Sequence, residues 1–179
     1  MFEIEVKAKI SDAKTIIEKL GSLGCKLSDP VRQEDEIFNI PGATPSNLGD
    51  STVMRIRSSG GRYLLTAKKD RSGELDCFEQ EVEVSDSVGA RKMLELLGFT
   101  HTVFVNKNRR KGKVEELEIC LDEVEGLGSF IEVEKMSEED GKKVQAELMD
   151  FLVSLGVKPE DRVFEGYDTM LYKKEHGQG

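Results

Sequence analysis

Residues 1–10, Met1-Phe2-Glu3-Ile4-Glu5-Val6-Lys7-Ala8-Lys9-Ile10, alternate without a break. Side chains on a strand repeat with a period of two. Phe2, Ile4, Val6, Ala8 and Ile10 therefore share one face, and Glu3, Glu5, Lys7 and Lys9 share the other. Taken alone, such a strand is half buried with a wet outer face. A charged face that recurs on strand after strand has another consequence: the charges look at one another across an enclosed interior.

The charged face does recur. Residues 31–38 read as a strand ending at Ile37-Phe38, and residues 39–51 as a loop by composition. Residues 52–59 put Val53, Arg55 and Arg57 opposite Met54 and Ile56. Gly60-Gly61 then turns the chain into residues 62–68, where Arg62, Leu64, Thr66 and Lys68 oppose Tyr63, Leu65 and Ala67. The glycine turn predicts a hairpin. Lys69 to Gly73 reads as a second turn. Residues 76–84 then carry Glu79, Glu81 and Glu83 on one face. Residues 102–111 carry Lys107, Arg109 and Lys111. Residues 114–122 set Glu116, Glu118, Cys120 and Asp122 against Leu117, Ile119 and Leu121. Residues 129–135 set Phe130, Glu132 and Glu134 against Ile131 and Val133.

Three helices are expected. The first follows the cap Ser11-Asp12, with Ile16, Ile17, Leu20 and Leu23 at helical spacing, and ends at Gly24. The second runs from Asp86 to Leu97 and is closed by Gly98. The third runs from about Glu138 to Leu155 and stops at Gly156. Residues 160–174 read as a short helix or docked segment, and about 175–179 as a loose tail of one domain spanning 1–179.

About eight strands with antiparallel connections and three helices make an α+β chain. Both the helices and one face of each strand must bury apolar surface. An eight-stranded antiparallel closed barrel achieves this, with helices packed on its outside and charges pointing inward. The alternative is an open α+β sheet whose charged side faces water. What favours the barrel is sorting by sign. Acidic pairs fall on the first, fifth and last strands, and basic pairs on the third, fourth and sixth, whereas a solvated face tends to mix signs.

Composition narrows the function. Of 179 residues, 26 are basic and 35 acidic, for a net charge of −9, and 34% are charged. An acidic chain is a poor default binder of nucleic acid or of an anionic membrane. No apolar run approaches ~18 residues, so no membrane span or leader is expected. Three separated cysteines, Cys25, Cys77 and Cys120, suggest reduced thiols and a cytoplasmic location. Only two histidines occur, His101 and His176, both in turn or tail sequence. Zinc or a histidine base is therefore not expected, while a hard, oxygen-ligated metal fits the carboxylates.

These segments, in order, resemble a known family. Glu3-Ile4-Glu5-Val6-Lys7 resembles the signature of the CYTH superfamily, the triphosphate tunnel metalloenzymes. Further matches are Arg55-Ile56-Arg57, Leu65-Thr66-Ala67-Lys68-Lys69, Glu79-Gln80-Glu81-Val82-Glu83, Val105-Asn106-Lys107-Asn108-Arg109, Leu121 to Glu134, and Gly166-Tyr167-Asp168-Thr169-Met170-Leu171. Any one tripeptide is weak; the ordered set spans nearly the whole chain. Leu121-Asp122-Glu123-Val124-Glu125-Gly126-Leu127-Gly128 and Glu34-Asp35-Glu36-Ile37-Phe38 look most like the class IV adenylyl cyclase branch. Gly166 departs from the serine often found before the tyrosine.

The resemblance implies a tunnel that binds a triphosphate with Mg2+ or Mn2+. Glu3, Glu5, Asp122, Glu132 and Glu134 would hold metal. Lys7, Arg55, Arg57, Lys68, Lys107 and Arg109 would hold phosphate, with Glu5, Lys107 and Arg109 nearest the chemistry. Glu81 and Glu83 would orient the basic groups as buried partners. Lys173 or Lys174 could reach in from the tail, and Tyr167 is expected to be a packing residue. The bland alternative for every charged residue here is internal ion pairing. Arginine supplies planar forks and lysine point charges for phosphate oxygens, and carboxylates are hard ligands for the cations. The implied activity is conversion of ATP to cyclic AMP and pyrophosphate. Hydrolysis of tripolyphosphate or another small triphosphate on the same scaffold, and a non-catalytic module that binds a nucleotide or polyphosphate, are the alternatives. The branch also hints at a homodimer.

Overall fold

The computed structural model describes residues 2–47, 51–70, 76–139 and 141–177. The expected turn charge Arg71 lies outside them. Within them the chain forms β1 (Phe2–Lys9), α1 (Ala13–Ser22), β2 (Val31–Asn39), β3 (Val53–Ser59), β4 (Arg62–Asp70) and β5 (Asp76–Val84). It continues with α2 (Ser87–Leu96), β6 (Thr100–Val114), β7 (Leu117–Val124), β8 (Gly128–Ser137), α3 (Gly141–Ser154), β9 (Arg162–Val163) and α4 (Tyr167–Glu175). The segment after residue 160 is thus both things expected of it: a short strand that docks and a helix that follows.

The strands make one antiparallel sheet in the order β5-β4-β3-β2-β6-β7-β8-β1-β9. The sheet curls until β1 also meets β5, at Glu3↔Cys77 and Ile4↔Asp76. Farther along the same edge, Lys7 and Ala8 pair with β9 instead. The α+β class and the single antiparallel sheet of the sequence reading hold, but the sheet has nine strands rather than eight, and instead of closing fully into a barrel it brings β1 and β5 together over two residue pairs. A strand edge left open invites pairing with another chain, so even a short seam matters.

Helix placement follows from the caps and apolar stripes. The Asp12 carboxylate accepts the Thr15 N–H at 3.0 Å and caps α1. Ile16 and Leu20 of α1, with Val144, Leu148 and Leu152 of α3, bury against Ile4, Val6 and Ala8 of β1 and Ile131 and Val133 of β8. This is the outer face of the barrel wall. Asp86 caps α2 by accepting the Val88 N–H at 2.9 Å. Ala90 and Leu94 of α2 then cover Phe38 and Ile56.

A third cluster lies inside. Ile37, Val53, Val103, Val105, Val124 and Phe130 point inward and meet Tyr167 and Leu171 of α4. One end of the interior is thus an apolar plug rather than a continuation of the charged tunnel. Alternation in β6 builds both zones from one face: Val103 and Val105 at the plug, then Lys107, Arg109 and Lys111 in the tunnel. Among the described residues no helix is long and apolar enough to cross a membrane.

Candidate active site

Above the plug lies a cavity of about 290 Å3. Its walls come from seven strands, with Asp35 and Ile37 contributed by β2, and from the first turn of α4. Glu3, Glu5 and Lys7 reach it from β1, Arg55 and Arg57 from β3, and Lys68 from β4. Glu79 and Glu81 reach it from β5, Lys107 and Arg109 from β6, and Glu132 and Glu134 from β8. All these residues lie on the strand faces that the period of two selects.

The acidic wall is formed by β1 and β8, which pair in the register Glu5↔Glu134 and Lys7↔Glu132. Glu5, Glu132 and Glu134 bring carboxylate oxygens within 4.8 Å of one another. Such crowding of like charge in a buried place makes ionisation costly. Burial, with Glu132 and Glu5 beside it, pushes the Glu134 carboxyl up to about 8. Burial and Glu132 raise Glu5 as well. Glu132 goes the other way: burial opposes its charge, but Arg109, Lys7 and Lys107 outweigh it and hold the carboxyl well below the usual range.

The basic wall is held by counter-charges of its own. The Arg57 guanidinium donates two parallel bonds to Asp35, Nε to Oδ1 and Nη2 to Oδ2, each 2.6 Å. Arg109 donates Nε to Asp122 Oδ1 at 2.7 Å and also reaches Glu132 through Nη2. The Lys107 ammonium donates to Asp122 at 3.1 Å. Burial and the nearby Arg109 guanidinium lower Lys107 to about 8 despite that partner. Lys7 sits 3.1 Å from Glu5 and 3.2 Å from Glu132. Burial alone would lower Lys7, but the two carboxylates raise it above its ordinary value. Arg55 donates to Thr66 Oγ1 at 3.2 Å, and that hydroxyl donates to Glu81 at 2.9 Å. Lys68 pairs with Glu79.

An all-oxygen donor set, like-charged and partly protonated, suits a hard divalent cation, which takes carboxylates and displaces their protons. Glu5, Glu132 and Glu134 fit that requirement on their own chemistry.

Comparison with known proteins agrees with this geometry. The CYTH domain matches residues 1–167. The chain belongs to the CYTH domain family. Over 173 residues, 93% of this CYTH domain chain and 97% of the relative, it is 32% identical to a Methanocaldococcus jannaschii protein named "Putative adenylate cyclase". It is 24% identical over 172 residues to adenylate cyclase CyaB of Aeromonas hydrophila, covering 94% of this chain and 88% of that one. A solved Pyrococcus horikoshii structure superposes with a TM-score of 0.80 at 29% identity, over 96% of this chain and 99% of the other.

In this CYTH domain the cavity gathers Glu3, Glu5, Glu132, Glu134, Lys7, Arg55, Arg57, Lys68, Lys107, Arg109 and Glu81 from the sequence reading. Two residues stand elsewhere. The Asp122 side chain is fully buried behind the wall, its oxygens taken by Arg109 and Lys107. Glu83 is exposed and lies 3.8 Å from the exposed Arg62 on the neighbouring strand. The tail lysines stay outside: Lys173 pairs with Glu165, and Lys174 donates to the Gly126 carbonyl at 2.6 Å.

Sequence reasoning missed Asp35, Glu79 and the position of Tyr167. Glu79 was available from its alternation with Glu81. Asp35 lies in a run, Glu34-Asp35-Glu36, where parity alone could have chosen it, since inward Ile37 is two residues on.

Proposed function

We propose that this chain is a divalent-metal-dependent enzyme that converts ATP to cyclic AMP and pyrophosphate. The observation that carries the reading is one cavity with carboxylates on β1 and β8 facing arginines and lysines on β3, β4 and β6. A triphosphate brings about four negative charges, and several converging basic groups neutralise them best. The M. jannaschii relative, named "Putative adenylate cyclase", and the A. hydrophila relative, named adenylate cyclase, support cyclisation over other reactions of a triphosphate. Reduced thiols and the absence of a long apolar run fit a cytoplasmic setting.

In the reaction the ribose 3′-oxygen bonds to the α-phosphorus and loses its proton. The bond from that phosphorus to the bridging oxygen breaks, and pyrophosphate leaves with the electron pair. Mg2+ or Mn2+ held by Glu5, Glu132 and Glu134, with Glu3 beside them, would supply Lewis-acid polarisation and neutralise charge. Arg55, Arg57 and Lys68 would grip the leaving pyrophosphate oxygens. Arg109 and Lys7 would face the phosphate nearest the acidic wall. Lys107, lowered to about 8 by burial and the Arg109 guanidinium, stays mostly a charged donor near neutral pH and gives up a proton more readily than an ordinary lysine. Asp35 and Asp122 would keep Arg57 and Arg109 aimed.

A second reading has one observation in its favour. Apolar side chains line the cavity only at the plug, as Ile37, Val53, Val105 and Tyr167, which leaves little surface for a nucleobase platform. Hydrolysis of tripolyphosphate needs no such platform; water would attack a terminal phosphorus held by the same groups. Purified protein assayed with Mg-ATP and with tripolyphosphate separates the two. Cyclic AMP and pyrophosphate in equal amounts are expected. Phosphate release from tripolyphosphate without any cyclic AMP would overturn the cyclase reading and leave the hydrolase. Tight binding with no product from either would leave a binding module.

A further inference from the structure

The apolar plug and the charged tunnel meet at one side chain. Tyr167 opens α4 and is buried. Its ring packs edge-on against Phe130, with centroids 5.1 Å apart and planes at 63°. The Lys7 ammonium stands 4.2 Å from the centroid of the same ring, and the Lys107 ammonium 4.9 Å from it. A cation within about 6 Å of an aromatic centroid is attracted by the negative face of the ring. Burial strengthens that attraction because water no longer competes.

We propose that Tyr167 is a positioning residue for anion binding: its ring holds the Lys7 and Lys107 ammoniums at the tunnel floor, aimed at the phosphates. The proposal rests on the triphosphate reading above. It differs from a packing role in what it asks of the ring. The other partners of these lysines are carboxylates: Glu5 and Glu132 for Lys7, Asp122 for Lys107. A carboxylate neutralises the ammonium and competes with incoming phosphate oxygens. A ring carries no net charge and accepts no full hydrogen bond. It can therefore keep its place while the N–H groups of the ammonium turn to phosphate. The ring also reduces the freedom of two flexible lysine stems before the anion arrives, so less of it is lost on binding. A plug that needed only volume would have been served by leucine or methionine, which offer no such face.

The test varies the charge distribution of the ring at constant shape. Tyr167→Phe keeps the negative face, and Tyr167→pentafluorophenylalanine reverses it with little change in volume. Tyr167→Leu removes the ring. Two readouts are used. The first is the lysine Cε–Hε NMR signals of the ligand-free protein, assigned with Lys7→Arg and Lys107→Arg. The second is calorimetric titration with Mg-tripolyphosphate. Ring-current shifts on Lys7 and Lys107 are expected in wild type and Tyr167→Phe and lost in Tyr167→Leu. Affinity should stay within about twofold in Tyr167→Phe. It should fall by about fivefold to thirtyfold in the other two variants, the range of one or two desolvated cation–ring contacts. Equal affinity in wild type and the pentafluoro variant overturns the positioning role and leaves the triphosphate reading intact. Lysine signals without a ring-current shift do the same. Failure of the wild type itself to bind tripolyphosphate overturns the triphosphate reading, and the positioning role with it.

Discussion

Asp35 holds Arg57 by two parallel 2.6 Å hydrogen bonds on the tunnel wall, and both side chains are largely buried. The fork geometry fixes the plane of the guanidinium, and three N–H groups remain for a ligand. Asp35→Asn keeps the shape and removes the charge. Arg57 then faces Arg109 with no counter-ion of its own, and breaking a buried pair in this way costs about 3–5 kcal/mol. Tripolyphosphate supplies the missing charge, so it should raise the midpoint of thermal unfolding more for Asp35→Asn than for wild type. Arg57 holds the Asp35 carboxyl below its ordinary value against the opposing effect of burial. For a depressed carboxylate, the stabilisation is present above the unfolded value, ~3.9, and is lost as pH falls through the folded value. The gap between wild type and variant should therefore close in acid. A gap that persists unchanged at pH 2–3 would count against the pair as its source.

Glu134 gives the opposite sign. Its carboxyl is raised from an ordinary value of 4.5 to about 8 by burial and by Glu132 and Glu5. Between those two values the folded chain keeps a proton that the unfolded chain has lost. Stability therefore falls as pH rises through this window. Glu134→Gln removes the cost, so ligand-free Glu134→Gln should gain on wild type by on the order of 1–3 kcal/mol between pH 5 and pH 9, allowing for solvent at the tunnel mouth. A metal seated on Glu134 must displace that proton. Calorimetry with MgCl2 or MnCl2 near pH 7, in buffers of different ionisation enthalpy, should report release of close to one more proton for wild type than for Glu134→Gln. Metal binding without proton release would remove Glu134 from the metal site.

Period-two alternation made the tunnel legible because every strand that builds it is one-sided. Glu3, Glu5, Lys107 and Arg109 could be placed inside by parity alone. Parity says nothing about depth along the barrel axis, and that is where the reading ran short. Glu81 and Glu83 share a face, yet Glu81 lines the cavity and Glu83 lies at the exposed end of β5. Asp122 shares the inward parity but is sealed behind Arg109. Tyr167 follows no strand period at all. Its position depends on how α4 docks against Val105 and Phe130, a tertiary contact with no local sequence signature.

That difference in depth can be measured. Glu83→Ala removes an exposed partner of exposed Arg62, and such surface pairs are worth about 0–1 kcal/mol. Stability and tripolyphosphate affinity should both stay near wild type. Glu81→Ala also removes an acceptor for Thr66, which bonds Arg55. A Glu81→Ala loss of roughly threefold to tenfold in affinity, about the size of one weakened hydrogen bond, is expected in the same titration. Equal behaviour of the two variants would mean that Glu81 does not position Arg55.

Glu132 links the two halves of the tunnel. Its carboxylate faces Lys7 at 3.2 Å and also accepts from Arg109, while its oxygens lie within reach of those of Glu5 and Glu134. One carboxylate therefore serves two masters: the basic groups expected to bind phosphate and the acidic cluster expected to bind metal. A cation that recruits Glu132 loosens its hold on Lys7 and Arg109, and those groups become freer to meet an anion. Coupling between two ligands is reciprocal by thermodynamic necessity, so the anion must favour the metal by the same factor. The affinity for tripolyphosphate should rise by roughly fivefold to 150-fold from EDTA to saturating Mg2+, after correction for the complex that forms in free solution. In Glu132→Gln the amide neither competes for the cations nor carries charge for the metal. Metal-free anion binding should then tighten, and the dependence on Mg2+ should shrink toward the effect of the free complex alone. Calorimetric titrations of both proteins, with and without metal, give all four corners of this cycle. Metal dependence that is the same in wild type and Glu132→Gln would show that the two sites are coupled through some other group.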